Sequence, residues 1–255
     1  MNALAGRRIV VTRPAGQCAH LVQLIRAAGA EPVLFPLLEI LDVPDLQLLR
    51  AMADRLDEFD LAIFVSPNAV EKGLDVVNSR RSWPARLRVA TMGPGSEREL
   101  RRHGFGHVIA PAGRFDSEAL LELPELRDVA GRRVVIFRGD GGRELLGDTL
   151  MARGAVIEYA ACYRRVRPRA NASVLLGLWK QNRLDALTIS SSEGLANLDE
   201  MIDIEGREHL KKTPLFAPHE RIAGKARALG VETVVLTPPG DAGLITGLSG
   251  FFAKV

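Results

Sequence analysis

Cysteines, lysines and long apolar runs are all scarce in this chain, and each scarcity removes a class of protein. The only cysteines are Cys18 and Cys162. They are too few for a disulfide framework and too far apart for a zinc-ligand spacing, and they read as small core residues. No apolar run approaches the roughly 18 residues of a membrane-spanning helix. The closest candidate, 242–253, is shorter and carries four Gly or Ser. The opening MNALAGRR lacks the apolar stretch of a secretory leader, so a cytoplasmic, reducing location is expected. Charge of one sign does not dominate either: 34 basic residues face 31 acidic ones, a net +3, which argues against a nucleic-acid binder. Several motifs are missing as well. There is no G-x-G-x-x-G with an acidic ribose ligand, no phosphate-binding G-x-x-x-x-G-K-[ST], no H-E-x-x-H and no G-x-S-x-G. No nucleotide, metal or acyl-enzyme chemistry is therefore written in its motifs.

What is present is an ordinary globular composition in 255 residues, 47% apolar and 25% charged, with enough chain to bury a core without staples. Only six of the 34 basic residues are lysine. The rest are arginine, whose fork suits carboxylates and phosphates. The chain is also a long repeat. GRRIVVTR at 6–13 matches GRRVVIFR at 131–138, a shift of 125, and DLAIFVS at 60–66 matches DALTISS at 185–191 at the same shift. With one extra residue, HGFGHVI at 103–109 matches LGVETVV at 229–235. Such a period is too long for a solenoid and implies two similar domains from a duplication.

Within each repeat, short continuous apolar runs alternate with segments of helical period. That pattern describes parallel strands covered on both faces. Strands are expected at 9–11, 32–38, 61–65, 88–92 and 108–110, and in the second repeat at 134–136, 156–163, 186–190, 214–217 and 233–236. Helices are expected after the first strand of each repeat, ending near Gly29 and Gly154, and at 68–77, 96–103, 117–123, 193–202, 221–229 and 242–252. The fold class is α/β, with two doubly wound parallel sheets. Ligands of such sheets sit beyond the carboxyl ends of the strands, where helix N-termini offer free amides to anions. The residues there are Thr12 and Arg13, Ser66 and Asn68, Gly93 and Ser96, Arg138 and Gly139, Ser190 and Ser191, and His219 and Arg221. Ser66, Ser96 and Ser192 are also good helix caps, and Arg13 and Arg138 also suit surface ion pairs.

TRPxxQ at 12–17, G-A-x5-P-L-L-E-I at 29–40 and DLAIFVSPNAV at 60–70 resemble uroporphyrinogen-III synthase. So do Gly93-Pro94, Arg138-Gly139, Tyr163 with the following Arg164–Pro168, and Pro218–Ala223. The resemblance covers almost the whole chain. It implies two flavodoxin-like domains that exchange their first strand–helix units: 1–37 with 168–255, and 43–162. The segments 38–42 and 163–167 would form a two-stranded bridge. It implies a lyase of porphyrin, tetrapyrrole and heme biosynthesis. That enzyme cyclises the linear tetrapyrrole hydroxymethylbilane, with loss of water and inversion of the last ring, in a cleft between the domains and without a cofactor. Tyr163 matches the family's cleft tyrosine, a candidate acid for the leaving hydroxyl. Ser96 stands where many members have a threonine. Ser66 and Ser191 match the strand-end serines, and Arg13, Arg138 and the amides around Gly93 line the cleft. Near Ile222, where some members carry a hydroxyl, this chain has none, and His219 or Arg221 is the expected replacement. The expected partners are this small-molecule substrate and, in transient contact, the preceding pathway enzyme. No nucleic acid, membrane or second copy is expected. A two-lobed binding protein without catalysis is the competing reading; a nucleotide-sugar transferase would carry a glycine-rich phosphate loop.

Overall fold

Short apolar runs supply the central strands of this protein because they are apolar on both sides, and only a sheet covered on both faces can hide them. The computed structural model describes residues 3–254. Among these the strands are β1 (Arg8–Val11), β2 (Glu31–Leu34), β3 (Glu39–Asp42), β4 (Leu61–Phe64), β5 (Arg88–Thr91), β6 (Arg133–Gly139), β7 (Val156–Val166), β8 (Ala186–Thr188), β9 (Leu215–Ala217) and β10 (Val234–Leu236). They form two five-stranded sheets, in the orders β10-β9-β8-β1-β2 and β3-β7-β6-β4-β5. Within the first sheet every pairing is parallel, as are the pairings of β4 with β5 and of β6 with β4 and β7.

The chain divides into two compact units. One holds the chain up to Glu39 together with everything from Val166 onward, and the other is Ile40–Arg165. At the 125-residue shift β1 corresponds to β6, β2 to β7, β4 to β8 and β5 to β9. The order β9-β8-β1-β2 in one sheet therefore has the same sense as β5-β4-β6-β7 in the other. Each sheet takes its corresponding strands from both halves of the sequence.

In the first unit Ile9, Val11, Ala186 and Phe216 face one apolar cluster, while Val10, Leu187, Leu215 and Ala217 face another. In the second, Leu61, Ile63, Val134 and Ile136 lie on one face; Ala62, Phe64, Val135 and Phe137 lie on the other. This period-two division requires helices on both faces. Phe64 and Phe137 stack at 4.5 Å between ring centroids, within the range where aromatic pairing adds to area burial.

Some expected elements come out differently. The strand expected over 32–38 ends at Leu34, although the Phe35 and Leu37 amides still donate to the Val11 and Thr12 carbonyls at 3.0 Å, and β3 begins afresh at Glu39. The strand expected at 108–110 shrinks to a single bridge between Ala90 and Ile109, confined between Gly106 and Pro111. Helices at Gln47–Asp54, Pro124–Arg127, Ser173–Lys180 and Ile204–Lys212 lie outside the expected pattern. The last buries only Gly206 and Leu210, so its apolar period is too thin to stand out. Among the described residues no helix is long and apolar enough to cross a membrane.

A charge network joins the amino-end halves of β6 and β7. Glu158 accepts from Arg55 at 2.8 Å and Arg133 at 2.7 Å, and Arg133 also meets Glu58 at 2.8 Å. Burial pushes the Glu158 carboxyl up, but the hydrogen bonds and charges of Arg133 and Arg55 outweigh it and hold it below the usual range. A carboxylate depressed in the folded state stabilises the fold above its unfolded pKa of about 4.3, and that contribution is lost as pH falls through the folded value. Between neutral pH and about pH 3 the urea midpoint should therefore fall less in Glu158→Gln than in the parent, because the variant has no proton to take up there. An equal fall in both would show that the network contributes nothing to folding.

Candidate active site

Tyr163 reaches its place through an irregularity in the sheet. β6 and β7 pair in register from Arg133 with Val156 to Arg138 with Ala161, and the next pair is Gly139 with Tyr163. Skipping one residue turns the following side chain to the opposite face. Tyr163 thus joins Ala160 and Cys162 in one apolar cluster and is 4% exposed. Its ring packs on Gly139, where a Cβ would come within 3.0 Å of the ring edge. Its hydroxyl lies 3.0 Å from Ser66 Oγ. Ser66 also caps the helix Pro67–Asn78, accepting from the Ala69 amide at 3.1 Å, with Pro67 at the first helical position. Asn68 lies in that first turn, half-buried. Tyr163, Ser66 and Gly139 therefore form one hydrogen-bonded, close-packed group at the carboxyl edge of the second sheet.

The neighbouring strand end is built differently. Gly93 takes the cap position of the helix Pro94–Arg102 with extended backbone, so Ser96, expected as its cap, lies instead in the first turn and is 5% exposed. Glu97 near the start of this helix and Arg101 and Arg102 at its end suit the helix dipole.

Arg138 is 8% exposed and is not an open clamp. Its two terminal nitrogens donate to Glu144 at 3.0 and 3.1 Å, and its guanidinium lies 4.8 Å from the centroid of the Tyr159 ring. Hydrogen bonds from Arg138 and then Tyr159 hold the Glu144 carboxyl below the usual range. Burial first, then the bond to Glu144, pushes the Tyr159 phenol up. Burial also pushes the Cys162 thiol up to about 12, so it is no nucleophile at neutral pH.

At the carboxyl edge of the first sheet, Thr12 is 5% exposed and donates its hydroxyl to the Thr188 carbonyl at 2.6 Å, while Thr188 donates to the Val10 carbonyl at 2.9 Å. Thr12 thus ties β1 to β8, and its hydroxyl proton is already committed. Arg13 is ion-paired with Asp241, which also takes His20 Nδ1 at 2.7 Å. Ser191, and not Ser192, caps the helix Ser192–Met201, accepting from the Gly194 amide at 2.9 Å. Ser190 precedes it, half-buried. His219 occupies the cap position of the helix Glu220–Ala228 without a capping bond from its side chain. It and Arg221 are exposed, whereas Ile222 is 1% exposed, so that first turn offers no hydroxyl. Asp241 and Glu144 are the residues that sequence reasoning missed. Their signal was an acidic residue at or beside a helix start, where a carboxylate is favoured.

A cavity of about 670 Å³ in the second unit is lined by Asp57, Asp60, Arg86, Arg88, Arg132 and Arg133 among others. These residues precede or begin β4, β5 and β6, so the cavity lies at the opposite edge of the sheet from Tyr163. Among the described residues no cluster of three His, Cys, Asp or Glu side chains is arranged to hold a metal.

The family model described as Uroporphyrinogen-III synthase HemD matches residues 19–245. This chain belongs to the uroporphyrinogen-III synthase family. It is 34% identical over 235 residues to the uroporphyrinogen-III synthase of Salmonella typhimurium, covering 91% of this chain and 96% of the relative. It is 33% identical, with the same coverage, to that of Escherichia coli K12. Among solved structures, a mutant uroporphyrinogen III synthase of Thermus thermophilus superposes with a TM-score of 0.69 at 19% identity, covering 98% of this chain and 100% of that one. At that identity the likeness concerns the fold, an α/β architecture with parallel sheets.

For this member of the uroporphyrinogen-III synthase family, the seat of Tyr163 predicts a steric requirement at Gly139. Gly139→Ala should cost about 1–3 kcal/mol in urea denaturation, because the added methyl overlaps a buried ring. Gly141→Ala, whose methyl meets nothing within 4 Å, should stay within about 0.5 kcal/mol. Equal costs at the two positions would remove Gly139 from the account of Tyr163.

Proposed function

We propose that this chain converts hydroxymethylbilane to uroporphyrinogen III and water. The bond to the terminal hydroxyl breaks as that oxygen takes a proton. The resulting azafulvene-type cation is held while the last pyrrole ring inverts, and the macrocycle closes with loss of a proton. The observation that carries this reading is the family match over residues 19–245, together with a phenol and a serine hydroxyl 3.0 Å apart at the carboxyl edge of a parallel sheet.

The substrate carries eight carboxylates, which suit helix N-termini and hydroxyls. In this reading the first turns of the helices after Ser66, Gly93, Ser191 and His219 bind them. Asn68, Ser96, Ser190 and Arg221 border those turns, and Thr12 and Gly139 shape the sheet edge beneath. Holding a reactive chain in one shape supplies much of the barrier reduction. Tyr163 is the proposed proton donor, and Ser66 orients its hydroxyl.

We also propose that the two similar units arose by duplication. Residues 38–42 and 163–167 would connect them as a bridge about which they move on binding, with the reaction carried out by a monomer. Two domains with few connections move by default, so saturating product should lower the radius of gyration in solution scattering. Identical curves with and without product would leave a rigid protein.

Incubation with hydroxymethylbilane and resolution of the I and III product isomers tests the activity. A binding protein without catalysis would yield only the I isomer, which forms without enzyme. Tyr163→Phe should lose roughly 10- to 1000-fold in kcat, since general acid help is worth at most about 10²–10⁴-fold. It should still form the III isomer, because inversion depends on shape. Parental kcat in Tyr163→Phe would remove the proton-donor role, and a switch to the I isomer would reassign the residue to holding the last ring.

A further inference from the structure

Arg138 is a strand-end cation that the free protein neutralises from within. Its guanidinium rests on Tyr159 and is gripped on its open side by Glu144. The exposures give the direction: the Glu144 side chain is 56% exposed and that of Arg138 only 10%. The carboxylate therefore covers the guanidinium from the solvent side, along the path an external carboxylate would take.

Glu144 arrives there at the end of the turn GDGGRE, residues 139–144. Gly142 has φ +133°, a conformation open to glycine. A Cβ at this position would stand 3.3 Å from Arg138 Nη2 and 3.4 Å from Arg165 Nη2. Arg165 also donates to the Gly141 carbonyl at 3.3 Å. Two guanidinium groups thus converge on a glycine-rich turn that carries its own carboxylate. Arg13 is also ion-paired, but its partner Asp241 is 14% exposed and stands in the first turn of a 13-residue helix. Of these two carboxylates, Glu144 alone is both solvent-facing and carried on a glycine-rich turn.

We propose that Glu144 is a tethered stand-in for a substrate carboxylate, screening Arg138 in the free protein and giving way when a carboxylate of the ligand takes its place. The inference rests on the functional reading above for the identity of that ligand. Its physical basis is exchange. A buried guanidinium without a partner is costly, and an internal carboxylate removes that cost until a ligand with an equivalent acceptor arrives. The exchange also selects: a neutral ligand cannot replace a charge-assisted bidentate pair.

The test is Glu144→Gln, read by KM for hydroxymethylbilane and by fluorescence titration with uroporphyrin III, the air-stable octacarboxylate of the same macrocycle. Both should tighten roughly twofold to fivefold, the range for freeing a solvent-facing ion pair. The gain should vanish when Arg138→Gln is added. Weaker binding in Glu144→Gln, at an unchanged melting temperature, would overturn the proposal, and so would a gain that persists without Arg138. If Arg138→Gln does not fold, the Arg138 Nε–Hε resonance of the parent gives the second reading. It should shift on addition of uroporphyrin III, and a resonance that stays in place at saturation would overturn the proposal. A parent that binds uroporphyrin III but forms no uroporphyrinogen III would fail the catalytic reading alone, leaving the titrations to decide on Glu144.

Discussion

Burial of short strands on both faces is the constraint from which the rest of this structure follows. Ile9, Val10 and Val11 are fully buried, as are Ala62, Ile63 and Phe64. Strands this apolar need parallel neighbours reached by crossovers and helices on either face. With both faces occupied, polar chemistry has no place in the middle of the sheet and is driven to the strand ends. There the helices begin, and their unpaired amides face outward. Ser66, Gly93, Ser191 and His219 all stand at such beginnings. The position of the candidate site is thus set by where the core stops.

The same constraint explains why one local irregularity matters. A strand that alternates faithfully would turn Tyr163 away from Cys162. The register skip after Arg138 brings both into one cluster, and Gly139 leaves room for the ring. Once seated, the phenol is dry on its ring side and meets Ser66 at its tip. Ser66 is itself fixed, because its Oγ already accepts from the Ala69 amide. The chain therefore orients a phenolic hydroxyl with elements that the fold needs anyway: a helix cap, a bulge and a missing side chain.

How much of this could be read in the sequence depends on the range of the interaction. Strands β1, β4, β6 and β8 were legible because their apolar runs stand between clear turn signals. Ser66 as a cap was legible because a serine before proline at a helix start has a local meaning. The skip in β7 was not, since register belongs to a pair of strands and no single run encodes it. Nor does the repeat itself say which half supplies which strand. A shift of 125 residues is the same whether β1 pairs with β4 or with β8, and only the family resemblance carried the exchange. The partner of Arg13 was hidden for the same reason, since Asp241 is 228 residues away, whereas Glu144 stands only six residues from Arg138 and lay within reach of a local reading.

Those partners change what an arginine-rich strand end means. Read from the sequence, Arg13 and Arg138 are either cations awaiting an acid ligand or halves of ion pairs. In the fold, neither waits. A guanidinium pressed against the end of an apolar sheet loses hydration, and the loss is tolerable only with a carboxylate in place. The chain supplies that carboxylate at both ends, from a helix start in one unit and a glycine-rich turn in the other. A ligand that uses such an arginine must exchange with an existing bond, so the net gain is the difference between two similar pairs and is small for each arginine. Charge then selects the class of ligand, and in the proposed reading the remaining affinity is left to amides and hydroxyls at the helix starts. This division of labour suits a substrate whose acidic groups surround every ring, because no single contact has to hold it and the last ring remains free to turn.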